Sequence, residues 1–473
     1  MRETLLINGK WQIPGLGDEP VTGTLSLTPG KNAILELKNP FPEEIAKKRQ
    51  VYLFREIAKQ NFYPIITGKG NNSSQITLVE SGFIKSGIYS GLRKGFLYTS
   101  DIVIDGEIFL KKEDISFDSV SVNFEHVNRW FNYSEDLIKE NNLKSDKYKS
   151  GSLTYNIKNQ FEIAIKLNHE ITGIKNLTLN ENPDIKINYP SLKELSEIIK
   201  DLTVIQNFFS FFISFPVYAT DIYAIREKNP LLSEYVGKKI KSGSKIYLLN
   251  SRIMGFNNSK TISEIPYLTP FMDISENFEE KLNLWFDFSK KYSALIDLYF
   301  ESTFYSKGIP ENIFLALCQS LELYHRVSGK FKNYVINPEE YKNRMNSVKK
   351  ALQKQNVFPK KVRESIMSTL KFGNRLNFEN RIFDILNYHS GYMSEYIKDF
   401  ENFSKNVSSA RNFIVHRDIH MINNPPDKEM IAELIILLDI ILHICILSEL
   451  KFSPAEIHGI GNKFFYYKIS TYN

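Results

Sequence analysis

Residues 20–37, PVTGTLSLTPGKNAILEL, indicate the fold class of the N-terminal region. Four residues (Val21, Gly23, Leu25 and Leu27) alternate with Thr22, Thr24, Ser26 and Thr28. This period of two is typical of a strand that is buried on one face only. The sequence PGKN at 29–32 then supplies a turn, so the stretch predicts a β-hairpin.

The same alternation returns at 120–125 and at 161–167. Short strands separated by turn residues predict a β-rich, largely antiparallel N-terminal region that is sandwich-like or barrel-like. A helix is expected at about 192–214, because Ser191 and Glu194 have the spacing of a capping box and Pro216 stops the pattern. Two further strands are predicted at 217–225 and 245–249, which gives this region a small α/β extension.

From about Glu276 onward the apolar spacing is helical. The predicted helices are Phe278–Tyr299, Asn312–Val327, Pro338–Gln355, Pro359–Phe372, Phe378–Leu386, Tyr392–Val415 and Lys428–Leu450. The predicted fold class is therefore α+β and multidomain. It has a β-rich domain at 1–275 and an all-α helical bundle at 276–473.

Composition narrows the class of protein. The chain has 473 residues with 42% apolar content, which is enough for more than one buried core. Cys318 and Cys445 lie in apolar helical contexts, which favours a reducing cytoplasm and argues against disulfides and a cysteine metal site. No secretory signal is expected at the N-terminus. The run Ile435–Leu447 is interrupted by Asp439 and His443 and is shorter than the ~20 residues of a membrane span, so it predicts a buried helix and no membrane contact.

Positive charge is concentrated in one segment. Residues 341–380 contain ten Lys or Arg and two Glu, an excess of eight, whereas the whole chain has a net charge of +6. Such a run is either a solvated face or a surface that binds RNA through its phosphates. The candidate RNA-binding residues are Lys349, Lys350, Lys360, Lys361, Arg363, Lys371 and Arg375.

The stretch VSSARNFIVHRDIH at 407–420 concentrates the chemistry. Arg411, Asn412 and His416 lie there without a cysteine, a metal-ligand cluster or a phosphate-binding loop, so we expect neither a metal nor a cofactor. The combination suits metal-independent RNA cleavage, in which the ribose 2′-OH attacks the adjacent phosphate. An imidazole can accept or deliver the proton near neutral pH, and a guanidinium can bridge two phosphate oxygens. The product would be a 2′,3′-cyclic phosphate.

The spacing of these residues favours a dimer. On a helix, residues five apart lie about 140° from each other, so Arg411 and His416 do not share a face, whereas Asn412 and His416 do. Two copies related by a two-fold axis would bring two Arg and two His to one phosphate. The alternative interpretation is structural: Arg411 packs its stem, Asn412 and His416 end the helix, and Arg417 and Asp418 form a surface pair.

A resemblance to a known family bears on this choice. The sequence RNFIVH at 411–416, in an all-α C-terminal domain, resembles the R-x4-6-H motif of HEPN-domain ribonucleases, including the polar residue after the Arg. Four further stretches resemble the ApeA branch of that superfamily, the anti-phage HEPN proteins: NGKWQIPGLGDEPVTGTLSL (8–27), VNFEHVNRWF (122–131), NIFLALCQSLELYHR (312–326) and LKFGNRLNFENRIFDIL (370–386). The resemblance spans about Gly9 to Asp418.

The resemblance implies a cytoplasmic ribonuclease effector that dimerises through its HEPN domain. It implies cleavage of host RNA, with tRNA as the expected class, which stops growth of an infected cell by abortive infection. The N-terminal domain would be a sensor or regulator that binds a phage-derived trigger. Under the resemblance Arg411 and His416 are catalytic, Asn412 supports them, and Glu322 orients Arg411. The alternative for Glu322 is an ordinary surface ion pair with Arg326, four residues later.

Two other functions fit the same sequence. In the first, the β-rich domain is a ligand-binding sensor and the helical half is a non-catalytic dimerisation scaffold. In the second, the helical domain is the target of a partner nucleotidyltransferase that silences it. Alanine at Arg411 and at His416 distinguishes the ribonuclease from the scaffold, because a scaffold tolerates both changes.

Overall fold

The computed structural model describes residues 4–41, 62–89, 93–131, 152–158, 160–166, 169–172, 178–181, 184–227, 241–249, 251–255, 267–305, 308–354, 358–416 and 426–472. The predictions made for Leu167, Gln355, Arg417 and Asp418 lie outside these residues. The chain divides into two compact units, Met1–Asn283 and Leu284–Asn473. This division falls eight residues after the predicted boundary at 275/276, inside a helix.

The first unit is built mainly from antiparallel strands. Its described strands are β1 (Leu5–Ile13), β2 (Leu16–Leu27), β3 (Ala33–Leu37), β4 (Phe62–Gly70), β5 (Gln75–Tyr89), β6 (Arg93–Ser100), β7 (Ile102–Asp105), β8 (Ser116–Phe124), β9 (Ser152–Ile157), β10 (Phe161–Lys166), β11 (His169–Thr172), β12 (Thr178–Glu181), β13 (Asp184–Glu194), β14 (Ala219–Glu227) and β15 (Lys241–Leu248). Strands β11 and β12 pair with each other, and the other thirteen form one sheet.

The sheet order is β4-β1-β2-β3-β6-β5-β7-β15-β14-β8-β13-β10-β9, with an additional pairing between β4 and β5. The first six strands therefore close into a ring, and the remaining strands extend from β5. The predicted hairpin at 20–37 is confirmed as β2 and β3, with Gly23 opposite Leu37 and Leu25 opposite Leu35. The β-rich, antiparallel class predicted for this region is confirmed.

Trp11 fills the centre of the ring. Its side chain is fully buried, and its indole N–H donates a hydrogen bond to the carbonyl oxygen of Gly23 at 3.3 Å. A Cβ atom at Gly68 would lie 2.2 Å from the Trp11 ring, so this position on β4 has no room for a side chain. The small residue and the large ring are thus complementary, and the Trp11 ring packs within the apolar core of these strands.

Helix α1 (Leu195–Ile213) packs against β8 and β13. The expected helix at about 192–214 is present, but the capping-box prediction is wrong. Strand β13 continues to Glu194, where it pairs with Ser116, so Ser191 and Glu194 are strand residues, and no side-chain bond caps α1. Pairing along the sheet thus overrides the local cap signal. The helix ends at Ser214, whose φ of 59° is left-handed.

The rear of the chain is helical, as predicted. Its helices are α2 (Phe271–Ile274), α3 (Phe278–Lys291), α4 (Ser293–Phe300), α5 (Pro310–Val327), α6 (Pro338–Lys354), α7 (Lys360–Leu370), α8 (Phe378–Tyr388), α9 (Ser390–Met393), α10 (Phe400–His416), α11 (Lys428–Glu449) and α12 (Pro454–Tyr472). Two predicted helices are divided: Phe278–Tyr299 breaks at Tyr292, and Tyr392–Val415 becomes α9 and α10. Helix α12 was not predicted.

Helix α5 lies at the centre of the second unit, where it contacts α4, α8, α10 and α11. Helix α11 is long and apolar enough to cross a membrane, but 72% of its apolar window is buried inside the protein. Its Asp439 is buried, accepts a hydrogen bond from Tyr299 at 2.9 Å and pairs with Lys468 at 2.6 Å. Helix α11 is therefore a core helix of the bundle.

Helices α6 and α7 form a two-helix projection, here called the basic arm. Neither helix contains a buried residue. The base of the arm is held together by a β-bridge between Tyr334 and Arg375. The side-chain amide of Asn374 adds two bonds to the backbone of Ile336, each 2.9 Å long. The arm thus presents its surface to solvent while its base is fixed to the bundle.

The buried imidazole of His443 makes the stability of the helical unit depend on pH. It stacks on Phe464 with ring centroids 4.1 Å apart, and burial, with Lys468 as a smaller cause, lowers its pKa from 6.5 to about 3. The folded chain therefore binds fewer protons than the unfolded chain between these values, and stability is lost as the pH falls from about 6.5. Between pH 7 and pH 5.5 we expect His443 to lower the free energy of unfolding by about 1.3 kcal/mol, and we expect His443→Phe to abolish this part of the loss.

Urea unfolding at the two pH values measures this difference. The matched control is His458→Phe, because His458 is exposed and pairs with Glu395 on the surface. His389, whose pKa burial lowers to about 4, retains its own share of the pH dependence in both variants. An equal loss of unfolding free energy between pH 7 and pH 5.5 in wild type and in His443→Phe would contradict this prediction.

Candidate active site

Helix α10 carries the three residues of the RNFIVH motif. Its buried residues Phe403, Ser404, Val407 and Ala410 form one stripe, which faces α5 and α8. Arg411 lies at the edge of this stripe with 32% of its side chain exposed. Asn412 and His416 are exposed, and His416 is the last residue of the helix. Arg411 is thus directed toward the bundle, whereas the other two residues face solvent.

Arg411 is held by residues from two other helices. Its Nη2 lies 3.7 Å from Oε2 of Glu322 on α5. Its guanidinium carbon lies 4.9 Å from the ring centre of Phe378, the first residue of α8, which is a cation–π distance. Helix α8 is capped there by Asn377, whose side chain accepts a bond from the Asn380 amide at 2.8 Å. Three helices therefore meet at this one guanidinium.

Glu322 lies between two guanidinium groups. Its Oε1 accepts a 2.5 Å bond from Nη2 of Arg326, one turn later on α5, and its Oε2 faces Arg411. Only 18% of its side chain is exposed. Glu322 thus contacts both Arg326 and Arg411, through different oxygens of the same carboxylate. The carboxylate lies within ion-pair distance of Arg411, whose side chain remains partly exposed.

The cysteines do not add a nucleophile. Cys318 and Cys445 are buried and free. Burial raises the pKa of both thiols, so each is protonated at neutral pH. Burial is the largest cause of the raised pKa of Cys318; Arg411 lowers this pKa and Glu322 raises it. Among the described residues, no group of three or more His, Cys, Asp or Glu side chains is placed to hold a metal ion.

The predicted RNA-binding residues lie on the basic arm and at its base. Lys349 and Lys350 are on α6, Lys360, Lys361 and Arg363 are on α7, and Lys371 and Arg375 follow α7. Arg363 is half-buried and the others are exposed. Of this group, Arg375 lines a cleft together with Arg326. Arg326 donates a hydrogen bond to Glu322, which also contacts Arg411.

Sequence reasoning missed Arg381 of α8. Only 2% of this residue is exposed, and its Nη1 contacts His325 Nδ1 at 2.8 Å. A guanidinium has no acceptor, so it must donate, and Nδ1 must be unprotonated. His325 is therefore neutral, consistent with burial lowering its pKa, and its Nε2–H donates to Asp384 at 3.0 Å. A usable signal was present: Arg381 falls among the apolar positions Phe378, Ile382 and Ile385 of α8.

Comparison with known families identifies the class of both units. A helical bundle with an Arg-Asn-x3-His helix end follows a large antiparallel unit, and two family models match these parts in that order. Residues 6–285 match ApeA N-terminal domain 1, and residues 315–456 match the Apea-like HEPN domain. The chain belongs to the ApeA-type HEPN proteins.

This membership carries general properties of the family. HEPN domains are generally associated with ribonucleases, and they typically dimerise and bind RNA. The ApeA combination is that of an anti-phage HEPN effector. No curated protein and no solved structure matches the chain.

Proposed function

We propose that the protein is a cytoplasmic anti-phage endoribonuclease that cleaves RNA with Arg411 and His416. The observation that supports this best is the local arrangement of α10. Glu322 and Phe378 hold the guanidinium of Arg411, while Asn412 and His416 present unburied polar groups on the same helix. A purely structural helix end would not need a carboxylate from α5 to pair with an arginine of the same helix that ends in an exposed histidine.

The proposed reaction is transesterification followed by product release. The ribose 2′-oxygen forms a bond to the adjacent phosphorus, and the bond from phosphorus to the 5′-oxygen breaks. One imidazole takes the 2′-OH proton, and a second gives a proton to the leaving 5′-oxygen. Arg411 stabilises the charge that develops on the phosphate oxygens. The products are a 2′,3′-cyclic phosphate and a 5′-OH, and no metal takes part in the proposed steps.

We propose that two copies of the chain complete the site. Five residues along a helix correspond to a rise of about 7.5 Å and a rotation of about 140°, so one helix does not direct Arg411 and His416 to the same point. A two-fold axis beside α10 supplies a second Arg and a second His. This arrangement also provides the two imidazoles that the acid and base steps require. Sedimentation of the purified chain tests it, and a monomer at active concentrations would exclude it.

The proposed biological role is abortive infection, with tRNA as the substrate class and the β-rich unit as the sensor of a phage-derived trigger. Cells producing wild type, Arg411→Ala or His416→Ala at equal levels would be infected, and plaque number and RNA integrity measured. Protection and RNA breakage are expected with wild type alone. Protection that survives both substitutions would instead support the scaffold function.

Glu322 is proposed as a positioning residue that acts through Arg411. Glu322→Gln keeps the size of the side chain but removes its charge, so Arg411 loses its electrostatic partner. We expect kcat for RNA cleavage to fall about five- to ten-fold, equivalent to about 1–1.4 kcal/mol. KM should stay constant or decrease, because removing an acid near the site does not weaken RNA binding.

The matched control is Glu401→Gln, which removes an exposed carboxylate from α10 that pairs with Lys405. It should leave kcat and KM unchanged. An increase in KM at constant kcat in Glu322→Gln would show that Glu322 shapes RNA binding and does not position Arg411 for the reaction.

A further inference from the structure

A cleft of about 270 Å³ lies at the base of the basic arm, in the helical unit. Arg326, Arg375 and Arg381 line it together with Asn333 and Tyr334. These residues come from three separate segments of the chain: the end of α5, the connection before α6, and the residues from the end of the arm to α8. Three guanidinium groups in one concave site are typical of a site for an anion with several oxygens.

Arg381 is fixed within the wall of this cleft. Its Nε donates to the Leu376 carbonyl at 3.1 Å, and its Nη1 contacts Asn333 Oδ1 at 3.0 Å and His325 Nδ1 at 2.8 Å. All three acceptors are neutral, so these bonds orient the guanidinium without cancelling its charge. Burying a positive group in this way is costly, and a bound anion would offset that cost.

The positive charge of the cleft exceeds its compensation. Arg326 pairs with Glu322. In the part of the chain that the structure describes, neither Arg375 nor Arg381 forms an ion pair with a carboxylate. Burial is the main cause that lowers the pKa of Arg381; the neighbouring Arg326 and Arg375 lower it further, whereas Glu322 and Asp384 raise it. The like charges destabilise the unbound cleft, and an anion placed between them removes that repulsion.

Exposed aromatic rings lie beside the arginines. Tyr334 lines the cleft and is 46% exposed. Phe372 is 52% exposed, and the guanidinium carbon of Arg375 lies 4.9 Å from its ring centre. Single-stranded RNA is recognised by proteins that combine phosphate contacts from arginine with aromatic surfaces on which bases stack. The cleft offers both groups at one place.

We infer that this cleft is a subsite for a nucleotide of single-stranded RNA flanking the cleaved phosphate. Arg326, Arg375 and Arg381 hold its backbone phosphate, and Tyr334 stacks against its base. Glu322 connects the subsite to the candidate active site, because it contacts Arg326 at 2.5 Å and Arg411 at 3.7 Å. The inference deepens the proposed ribonuclease function and rests on it for the identity of the ligand.

RNA affinity in a His416→Ala background tests the subsite without cleavage of the probe. The probe is a fluorescein-labelled, single-stranded 12-nucleotide RNA, measured by anisotropy at several salt concentrations. Adding Arg375→Gln should weaken binding about five- to ten-fold and reduce the salt slope by about 0.7, the value of one phosphate contact. Arg375 is exposed, so the change spares the core.

The matched control is Arg344→Gln, which removes an exposed guanidinium from the arm itself, where Arg344 pairs with Glu340. It should change binding less than two-fold if position matters as well as charge. Tyr334→Ala should weaken binding about ten-fold through lost stacking. Tyr466→Ala removes a more exposed ring from α12, away from the cleft, and should have no effect.

Equal losses of RNA affinity in Arg375→Gln and Arg344→Gln would overturn the subsite in favour of diffuse electrostatic attraction. An RNA affinity that no substitution changes would also overturn it, as would the absence of RNA binding by every variant. RNA cleavage is measured in parallel with the same variants in proteins that retain His416. This measurement separates the subsite proposal from the ribonuclease proposal. Selective loss of binding without cleavage by wild type supports the subsite and contradicts the ribonuclease. Cleavage by wild type with unaltered affinity and KM in Arg375→Gln contradicts the subsite alone.

Discussion

Replacing His416 with alanine should lower the rate of RNA cleavage by about 100- to 10,000-fold, the usual contribution of one general acid or base. His416 is the exposed last residue of α10, and its substitution removes an imidazole without opening the bundle core. Folding and RNA affinity should therefore remain close to those of wild type. Single-turnover cleavage of a labelled RNA by the purified full chain measures the rate directly.

The matched control for this substitution is His458→Ala. His458 is also an exposed imidazole of the helical unit, and it contacts the carboxylate of Glu395 at 2.7 Å. Its loss should leave the cleavage rate unchanged. Full activity in His416→Ala, with cuts at the same positions, would remove His416 from the mechanism and would favour the structural interpretation of the helix end.

Arg411→Ala should lower kcat by about 100- to 1,000-fold, the typical effect of losing one group that stabilises charge in the transition state. The guanidinium of Arg411 contacts Glu322 and Phe378, so we expect it to need little reorganisation when a phosphate binds. Arg411→Lys should recover only part of the rate, because an ammonium group keeps the charge but lacks the planar fork that contacts two oxygens.

Arg344→Ala is the control for a lost arginine, since Arg344 is exposed and pairs with Glu340 four residues earlier. It should have no effect on kcat. Full rescue by Arg411→Lys would show that charge alone is sufficient at this position. A rise in KM with unchanged kcat in Arg411→Ala would assign Arg411 to ground-state RNA binding.

Local patterns predicted much of the fold and failed where tertiary contacts override them. Alternation at 20–37 predicted β2 and β3, and helical spacing predicted α5, α8 and α11 closely. The capping-box spacing of Ser191 and Glu194 failed because strand pairing extends β13 to Glu194. Closure of the first six strands depends on the pairing of β4 with β5 and of β1 with β4, which no local pattern specifies.

The candidate site likewise contains residues that local spacing predicted and contacts that only the fold supplies. Arg411, Asn412 and His416 follow from their spacing on one helix, and the pair of Glu322 with Arg326 follows from theirs. The contact between Arg411 and Glu322 joins α10 to α5 across 89 positions of sequence, so the resemblance to the family suggested it and the fold supplies its geometry. The cleft of Arg326, Arg375 and Arg381 could not be assembled from the sequence, because three separate segments form it.

Mapping of the cut RNA ends tests whether His416 takes part in metal-independent cleavage of RNA. Purified wild-type protein and His416→Ala would each be incubated with total tRNA in EDTA, with and without extract from infected cells to supply a trigger. The account predicts cleavage by wild type only, with 2′,3′-cyclic phosphate and 5′-OH ends. Identical cuts by both proteins, cleavage that requires added metal, or intact tRNA even with the extract would contradict it.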